Sequence, residues 1–322
     1  MKTYLALTFC FLLSLAALPA QAALREADLW LTDPLLQAYA QHQLPHGGFA
    51  TDGAIGKNAK TPETLQLSAQ ARGLESIQYG IATKKPAAVA DGVNAFKWAF
   101  DRQTADGAFG SSNFMETLSF LGAYGEALAL LQDAGDPAAT TLAAYAPRVK
   151  LAVSNDKYRQ GQAIWESRMR NNLSSQQTFA AALALHFANM ADRTLQSDDM
   201  AAKWLESGLK LRKGDGVLPE RGGRNPSAQE NSLKTLCLYS LYGDNAAKYA
   251  ITPALRDGFA WLTAQIQPDL TLAPAPVPAA AIKNSGKQTM PKKAVPVAFV
   301  LWSHLGGGEA ALQTALKLAG MP

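Results

Sequence analysis

The sequence predicts an all-α fold: an (α/α) toroid, or incomplete barrel, of about five to six helix pairs. Three observations predict it. Apolar residues recur with the 3.6-residue period along most of the chain, and no period-two stretch competes for strand. The connections between the expected helices alternate between short and long. The long ones recur about every 55 to 60 residues, which marks one repeated supersecondary unit. Successive helices run antiparallel, so every long connection emerges at the same end of the molecule. The period exceeds the roughly 34 to 47 residues of helical solenoids, which favours closure into a ring of inner and outer helices over open stacking.

Taken in order, the chain of 322 residues opens with Lys2, an apolar run from Leu5 to Leu18, and the small-x-small triplet Ala20-Gln21-Ala22. This is the pattern of a secretory signal peptide. A membrane span needs roughly 20 consecutive apolar residues, more than this run supplies before Pro19. The expected division is therefore a signal peptide over 1–22 and a single toroid domain over 23–322, periplasmic or secreted, with no membrane insertion after cleavage. Cys10 falls in the leader, so Cys237 is the only other cysteine. That excludes an intramolecular disulfide and a cysteine-rich zinc site. The balance of 30 Lys plus Arg against 26 Asp plus Glu is too even to point to nucleic acid. It leaves room for a local basic groove.

Helices are expected near 24–41, 64–83, 86–103, 113–132, 137–153, 174–190, 197–211, 227–243, 253–266, 293–304 and 308–319. Thr61-Pro62-Glu63 and Asp136-Pro137 place a cap before a first-turn proline, and Ser174 with Gln177 has the capping-box spacing. The short connections fall at Lys84-Lys85, 133–136, 191–196, 244–252 and Gly306-Gly307. The long ones fall around 42–61, 104–112, 154–173, 212–226 and 267–292. The repeat is visible in the residues: Trp98 precedes Asp106, Trp261 precedes Asp269 and Tyr39 precedes Gly47 by the same interval, and Trp204 precedes Asp215 at a slightly longer one. After each comes a turn and an apolar anchor: Gly47-Gly48-Phe49, Asp106-Gly107-Ala108-Phe109, Asp215-Gly216-Val217-Leu218 and Asp269-Leu270-Thr271-Leu272. Asp-Gly is ordinary turn chemistry, so these motifs read first as helix stops.

A shared loop face draws together His46, Asp106, Arg168, Arg170, Asn171, Asn172, Glu220, Arg221, Arg224 and Lys287, and sites concentrate on such loop-rimmed clefts. In Trp165-Glu166-Ser167-Arg168-Met169-Arg170-Asn171-Asn172-Leu173, two asparagines with nearby arginines precede a capped helix. This segment resembles the Asn-Asn-His segment of alginate lyases, and the architecture resembles exported (α/α)-toroid proteins of the alginate- and heparin-type polysaccharide lyase group. The resemblance implies β-elimination on an anionic, uronate-containing polysaccharide. An Asn or Arg neutralises the uronate carboxylate so that the C5 proton becomes acidic, a His or Tyr removes it, and a Tyr protonates the departing oxygen. Leu173 stands where the family has histidine. Carried over, the catalytic candidates are Asn171, Asn172, His46, Tyr158 and Glu220, with Arg168, Arg170, Arg221, Arg224, Asp106 and Lys287 binding substrate.

The glycine-rich segment 214–229 resembles a Gly-Gly-Arg-Asp-x-Ser-Tyr-Gln loop of that group, with Asn225 and Ala228 replacing the acid and the tyrosine. Its plain reading is a loop tied down by a Glu220–Arg224 salt bridge. Asn171 and Asn172 also suit loop and cap positions. His42 and His46 flank the first long connection, His186 reads as a buried helical residue, and His304 suits a helix C-terminus. The proline- and alanine-rich stretch 268–296 reads as a long loop whose lysines, Lys287 among them, face a negative ligand. No metal-ligand set and no HExxH, P-loop, GxSxG or dinucleotide fingerprint is present, so neither metal nor cofactor is expected. Two other readings stand beside the lyase. One is an inverting glycoside hydrolase pairing Glu220 with Asp106 or Glu116. The other is a non-catalytic ring that binds glycan or protein.

Overall fold

A computed structural model of the protein describes residues 24–43, 67–110, 112–169, 174–220, 223–274 and 292–321. The expected signal segment and the Thr61-Pro62-Glu63 start lie outside them. The described chain is all-helical. In order, α1 is Glu26–Thr32, α2 Pro34–Gln43, α3 Leu67–Gln70, α4 Gly73–Thr83, α5 Pro86–Asp101, α6 Phe114–Asp133, α7 Ala138–Ala143, α8 Ala146–Ser154, α9 Asp156–Met169, α10 Ser175–Ala191, α11 Asp198–Lys210, α12 Pro226–Tyr242, α13 Asn245–Thr263, α14 Val297–Trp302 and α15 Gly308–Leu318. Among the described residues the only β pairing is in isolated bridges. No helix there is long and apolar enough to cross a membrane.

The starts follow from their caps. Asn113 accepts the Glu116 N–H while the Glu116 carboxylate accepts the Asn113 N–H, a reciprocal box that opens α6. Ser174, Asn225 and Asp244 cap α10, α12 and α13 in the one-sided way. Four expectations are corrected. The helix over 24–41 breaks at Asp33, whose carboxylate accepts the Leu35 and Leu36 N–H groups and starts α2 at Pro34. The helix over 137–153 is two, α7 and α8, separated at Tyr145. The helix expected from Pro253 starts at Asn245, because the Asp244 cap begins it, and Pro253 sits inside. Residues 156–169, expected within a long loop, form α9. Their polar sequence hides the reason: Tyr158 and Trp165, two turns apart, pack on Phe114, and Gly161 lets that side chain approach the helix backbone.

Packing joins these helices pairwise. α5 lies on α4, α11 on α10, α13 on α12 and α15 on α14, while α4 meets α6, α6 meets α10, α10 meets α12, α12 meets α14, α14 meets α2 and α2 meets α4. α6 is apolar nearly all round, as a helix buried on every side must be. It meets α10 almost backbone to backbone: a Cβ on Gly125 would lie 2.2 Å from the Phe187 carbonyl oxygen. Phe96, Phe100, Phe109, Phe120 and Tyr124 fill the space between α5 and α6 with edge-on and tilted rings. His304, just past α14, contacts Asp33 at 3.0 Å, joining the last helices to the first.

The repeat seen in the residues is also a repeat of backbone. Thr104 N–H to Ala108, Lys213 N–H to Val217 and Gln267 N–H to Thr271 are the same closing hydrogen bond, at 3.0, 2.8 and 2.8 Å. In each turn an Asp carboxylate (Asp106, Asp215, Asp269) accepts the N–H two residues on. The position after the Asp has positive φ: Gly107 at 90°, Gly216 at 87°, Leu270 at 65°.

Candidate functional site

A polar recess of about 250 Å³ lies between α1, α2, α4, α6 and α12. Its volume approaches the roughly 300 Å³ at which small-molecule sites begin. Trp30 of α1 and Tyr39 of α2 supply aromatic wall, and Arg72, Glu75 and Lys234 supply charge. Helix direction orders these groups in depth. Arg72 and Glu75 lie at the start of α4, the end to which the long connections lead. Gln78 is one turn further in, and Glu126 comes from the second half of α6.

At the inner end the polar groups form one network. Glu26 is 1 % exposed and accepts three donors: Trp30 Nε1 at 2.9 Å, Tyr242 Oη at 2.9 Å and Gln78 Nε2 at 3.5 Å. Glu126, 7 % exposed, shares the same Gln78 amide at 3.3 Å and lines the cavity. Burial raises both carboxyls, and the neighbouring Glu26 charge raises Glu126 further, against the pull of Lys234. The donors separate the two acids: Glu26 has three neutral donors that favour its anionic form and Glu126 has one, so burial and the neighbouring acid favour the protonated form more strongly at Glu126 than at Glu26. Tyr242, its hydroxyl buried beside both acids, is held neutral. One turn before Lys234 on α12, Glu230 accepts the Val295 N–H at 2.8 Å, and burial pushes it up to about 7.

Of the residues singled out from sequence, the described ones lie elsewhere. His46, Arg170, Asn171, Asn172, Arg221 and Lys287 fall outside the described residues. Tyr158 is 5 % exposed, edge-on to Phe114, with no hydrogen-bond partner for its hydroxyl among the described residues, and burial raises it further from the anionic form a base needs. Asp106 is engaged by Thr104, the Ala108 N–H and Asn155 Nδ2, and the Thr104 bond leads in holding its carboxyl below the usual range. Glu220 accepts the Ser174 hydroxyl at 2.6 Å. Arg224 bridges Asp215 at 2.5 Å, so the two ends of the expected Glu220–Arg224 pair have other partners. Lys213, Asp215 and Arg224 line a second recess, of about 260 Å³, that holds no buried titratable group among its described residues. Arg168 is exposed in the last turn of α9, and Glu116 is the α6 capping acid. His186 stacks on Tyr239, and burial lowers its pKa.

No family model, curated protein or solved structure matches this chain. The cavity residues therefore rest on their own chemistry. Glu126 was legible as the lone acid inside Gly122-Ala123-Tyr124-Gly125-Glu126-Ala127-Leu128-Ala129-Leu130, where a buried carboxyl demands a reason. Glu26 was not, since it reads as a first-turn acid beside Arg25 and Asp28.

Proposed function

We propose that the protein is an exported (α/α) toroid that binds an anionic, uronate-containing polysaccharide in the cavity between α1, α2, α4, α6 and α12 and cleaves it by β-elimination. The observation that carries this reading is the cavity itself: the cations Arg72 and Lys234, the aromatic side chains Trp30 and Tyr39 and the acids Glu75 and Glu126 converge from helices far apart in sequence. Closure of the helix contacts, with α14 on α2, supports the ring. Lys234 and Arg72 suit a uronate carboxylate, and their charge makes the adjacent C5 proton more acidic. The flat faces of Trp30 and Tyr39 suit the apolar face of a sugar ring. Tyr39 on the wall and His46 are the bases this reading offers. Asn171, Asn172, Arg170 and Arg221 remain substrate contacts in this reading.

A second reading, inverting hydrolysis, has its own observation. Glu75, salt-bridged to Arg72, precedes Gln78 by one turn on α4, and the Gln78 amide touches Glu126. A carboxyl raised by burial and a charge-paired one thus share a wall, separated by a helical turn and a side-chain amide, where an inverting pair spans about 6.5 to 9.5 Å. The deciding experiment incubates the mature protein with alginate, pectate and glycosaminoglycans and follows reducing ends together with the absorbance of an unsaturated uronate. Both signals rise under elimination, reducing ends alone rise under hydrolysis, and neither rising overturns cleavage of these polymers. Lys234→Ala is expected to raise KM about 10- to 100-fold, the size of a lost charge-assisted contact.

A further inference from the structure

Elimination and hydrolysis share one requirement: the oxygen that departs from the sugar must take a proton. Two buried tyrosines are poorly placed to give it. Tyr158 sits edge-on to Phe114 on α9, away from the cavity, and the Tyr242 hydroxyl donates to Glu26 Oε2 at 2.9 Å. Glu126 differs from both: it lines the cavity, Lys234 lines it too, and burial with the neighbouring Glu26 favours its protonated form.

We infer that Glu126 is the general acid of this cavity, donating its proton to the departing glycosidic oxygen, and that Glu26 is the residue that keeps it loaded. The inference rests on cleavage taking place in this cavity, whichever of the two reactions performs it. As the carbon–oxygen bond breaks, the proton on Glu126 passes to the oxygen, which leaves as a hydroxyl, and Glu126 becomes a carboxylate. In elimination the bonding pair of the C5–H bond becomes the C4–C5 double bond, and the C5 proton goes to the base. In hydrolysis the attacking water supplies the new C–O bond and gives up a proton. Either released proton restores Glu126 through solvent, so the cycle closes. Two adjacent anions at the inner end of the cavity are unfavourable, which drives that return, and Lys234 offsets the transient charge.

The titratable and charged groups that share the cavity or its inner network with Glu126 are Glu26 on α1, Tyr39 on α2, Arg72 and Glu75 at the start of α4, and Lys234 and Tyr242 on α12; α10, which packs on α6, carries only His186, stacked on Tyr239. Of these, Glu26 is the one whose charge favours the protonated form at hydrogen-bonding range. Glu26 acts through Glu126 and is a positioning residue.

The test compares two uronide substrates on the mature protein: a natural oligosaccharide, and one carrying a nitrophenyl group on the scissile oxygen, which leaves without protonation. Glu126→Gln is expected to lose about 10²- to 10⁴-fold in kcat on the natural substrate, on the order of a general acid's contribution, and to keep activity within a few-fold on the nitrophenyl one. Glu126→Asp retains the carboxyl but draws it back from the cavity, and should show the same split if the amide variant does not fold. Glu26→Gln should move the alkaline limb of the pH–rate profile to lower pH, because Glu126 then loses its proton more readily. Equal losses on both substrates, or no loss on the natural one, overturn the acid role of Glu126. An unmoved alkaline limb overturns the role of Glu26. A wild-type protein inactive on every uronide overturns the cleavage reading and the acid role with it, an outcome distinct from active wild type with active Glu126→Gln.

Discussion

At the scale of single residues, Glu230 gives a pH signature independent of any substrate. Its carboxyl, 5 % exposed, is pushed up to about 7 by burial, against the Val295 N–H, Lys292 and Lys234. An unfolded glutamate titrates near about 4.3, so the folded chain holds a proton that the unfolded chain releases. The resulting stability is fully present below the unfolded value and is lost as pH rises through about 7. The loss is on the order of 3 kcal/mol, and Glu126, raised in the same direction, adds to it. Denaturant titrations at about pH 5 and pH 8, which bracket the folded value, should therefore show a more stable protein at the lower pH. Glu230→Gln should reduce the difference; greater stability at the higher pH would contradict the assignment. Such residues were half legible. Glu126 and Glu230 stand on helices whose neighbours are mostly apolar, and the sequence shows that as an anomaly. Their meaning depends on Glu26, Gln78 and Val295, which approach from distant parts of the chain, and no local pattern carries that.

At the scale of elements, the three equivalent turns explain why glycine follows aspartate in two of them. A Cβ on Gly107 would meet the Leu151 carbonyl oxygen at 2.1 Å, and one on Gly216 the Asp257 carbonyl oxygen at 2.2 Å. Each turn thus presses on the backbone of a helix in the next part of the chain, α8 in one case and α13 in the other. Gly107→Ala or Gly216→Ala should cost about 2 to 4 kcal/mol, from positive φ and overpacking together. Lys84, exposed and left-handed at the end of α4, offers the opposite case. Lys84→Gly should stabilise the protein by about 0.5 to 1 kcal/mol, read as a higher Tm, since relief of the left-handed strain exceeds the added freedom of the unfolded chain. Most helices and these turns were legible because period, caps and Asp-Gly chemistry are local. α9 was not: Tyr158 and Trp165 are its main apolar anchors, and only Phe114 in place shows that they pack. The start of α13 was misread because Pro253 is a stronger local signal than the Asp244 cap that begins the helix.

At the scale of the molecule, α1 gives the network its architecture. Glu26 and Trp30 bring this short helix to α4, α6 and α12 through Gln78, Glu126 and Tyr242, while Asp33 at its end meets His304 beyond α14. α1 therefore ties α4, α6 and α12 together and places Trp30 in the wall of the cavity. The all-helical class and the repeat were legible because both are periodic. The position of the cavity was not, because α1 reads as the start of one long helix, and only its break at Asp33 lets it turn across the others. The proposed glycan site is this cavity rather than the recess lined by Lys213, Asp215 and Arg224. This placement is tested most directly by calorimetric titration of a uronate oligosaccharide into the wild-type protein, Ala71→Trp, which fills the cavity from its wall, and Arg224→Ala, which removes a charged side chain from the other recess. The account predicts binding to wild type and Arg224→Ala and none to a folded Ala71→Trp; binding that survives Ala71→Trp and disappears with Arg224→Ala would contradict it.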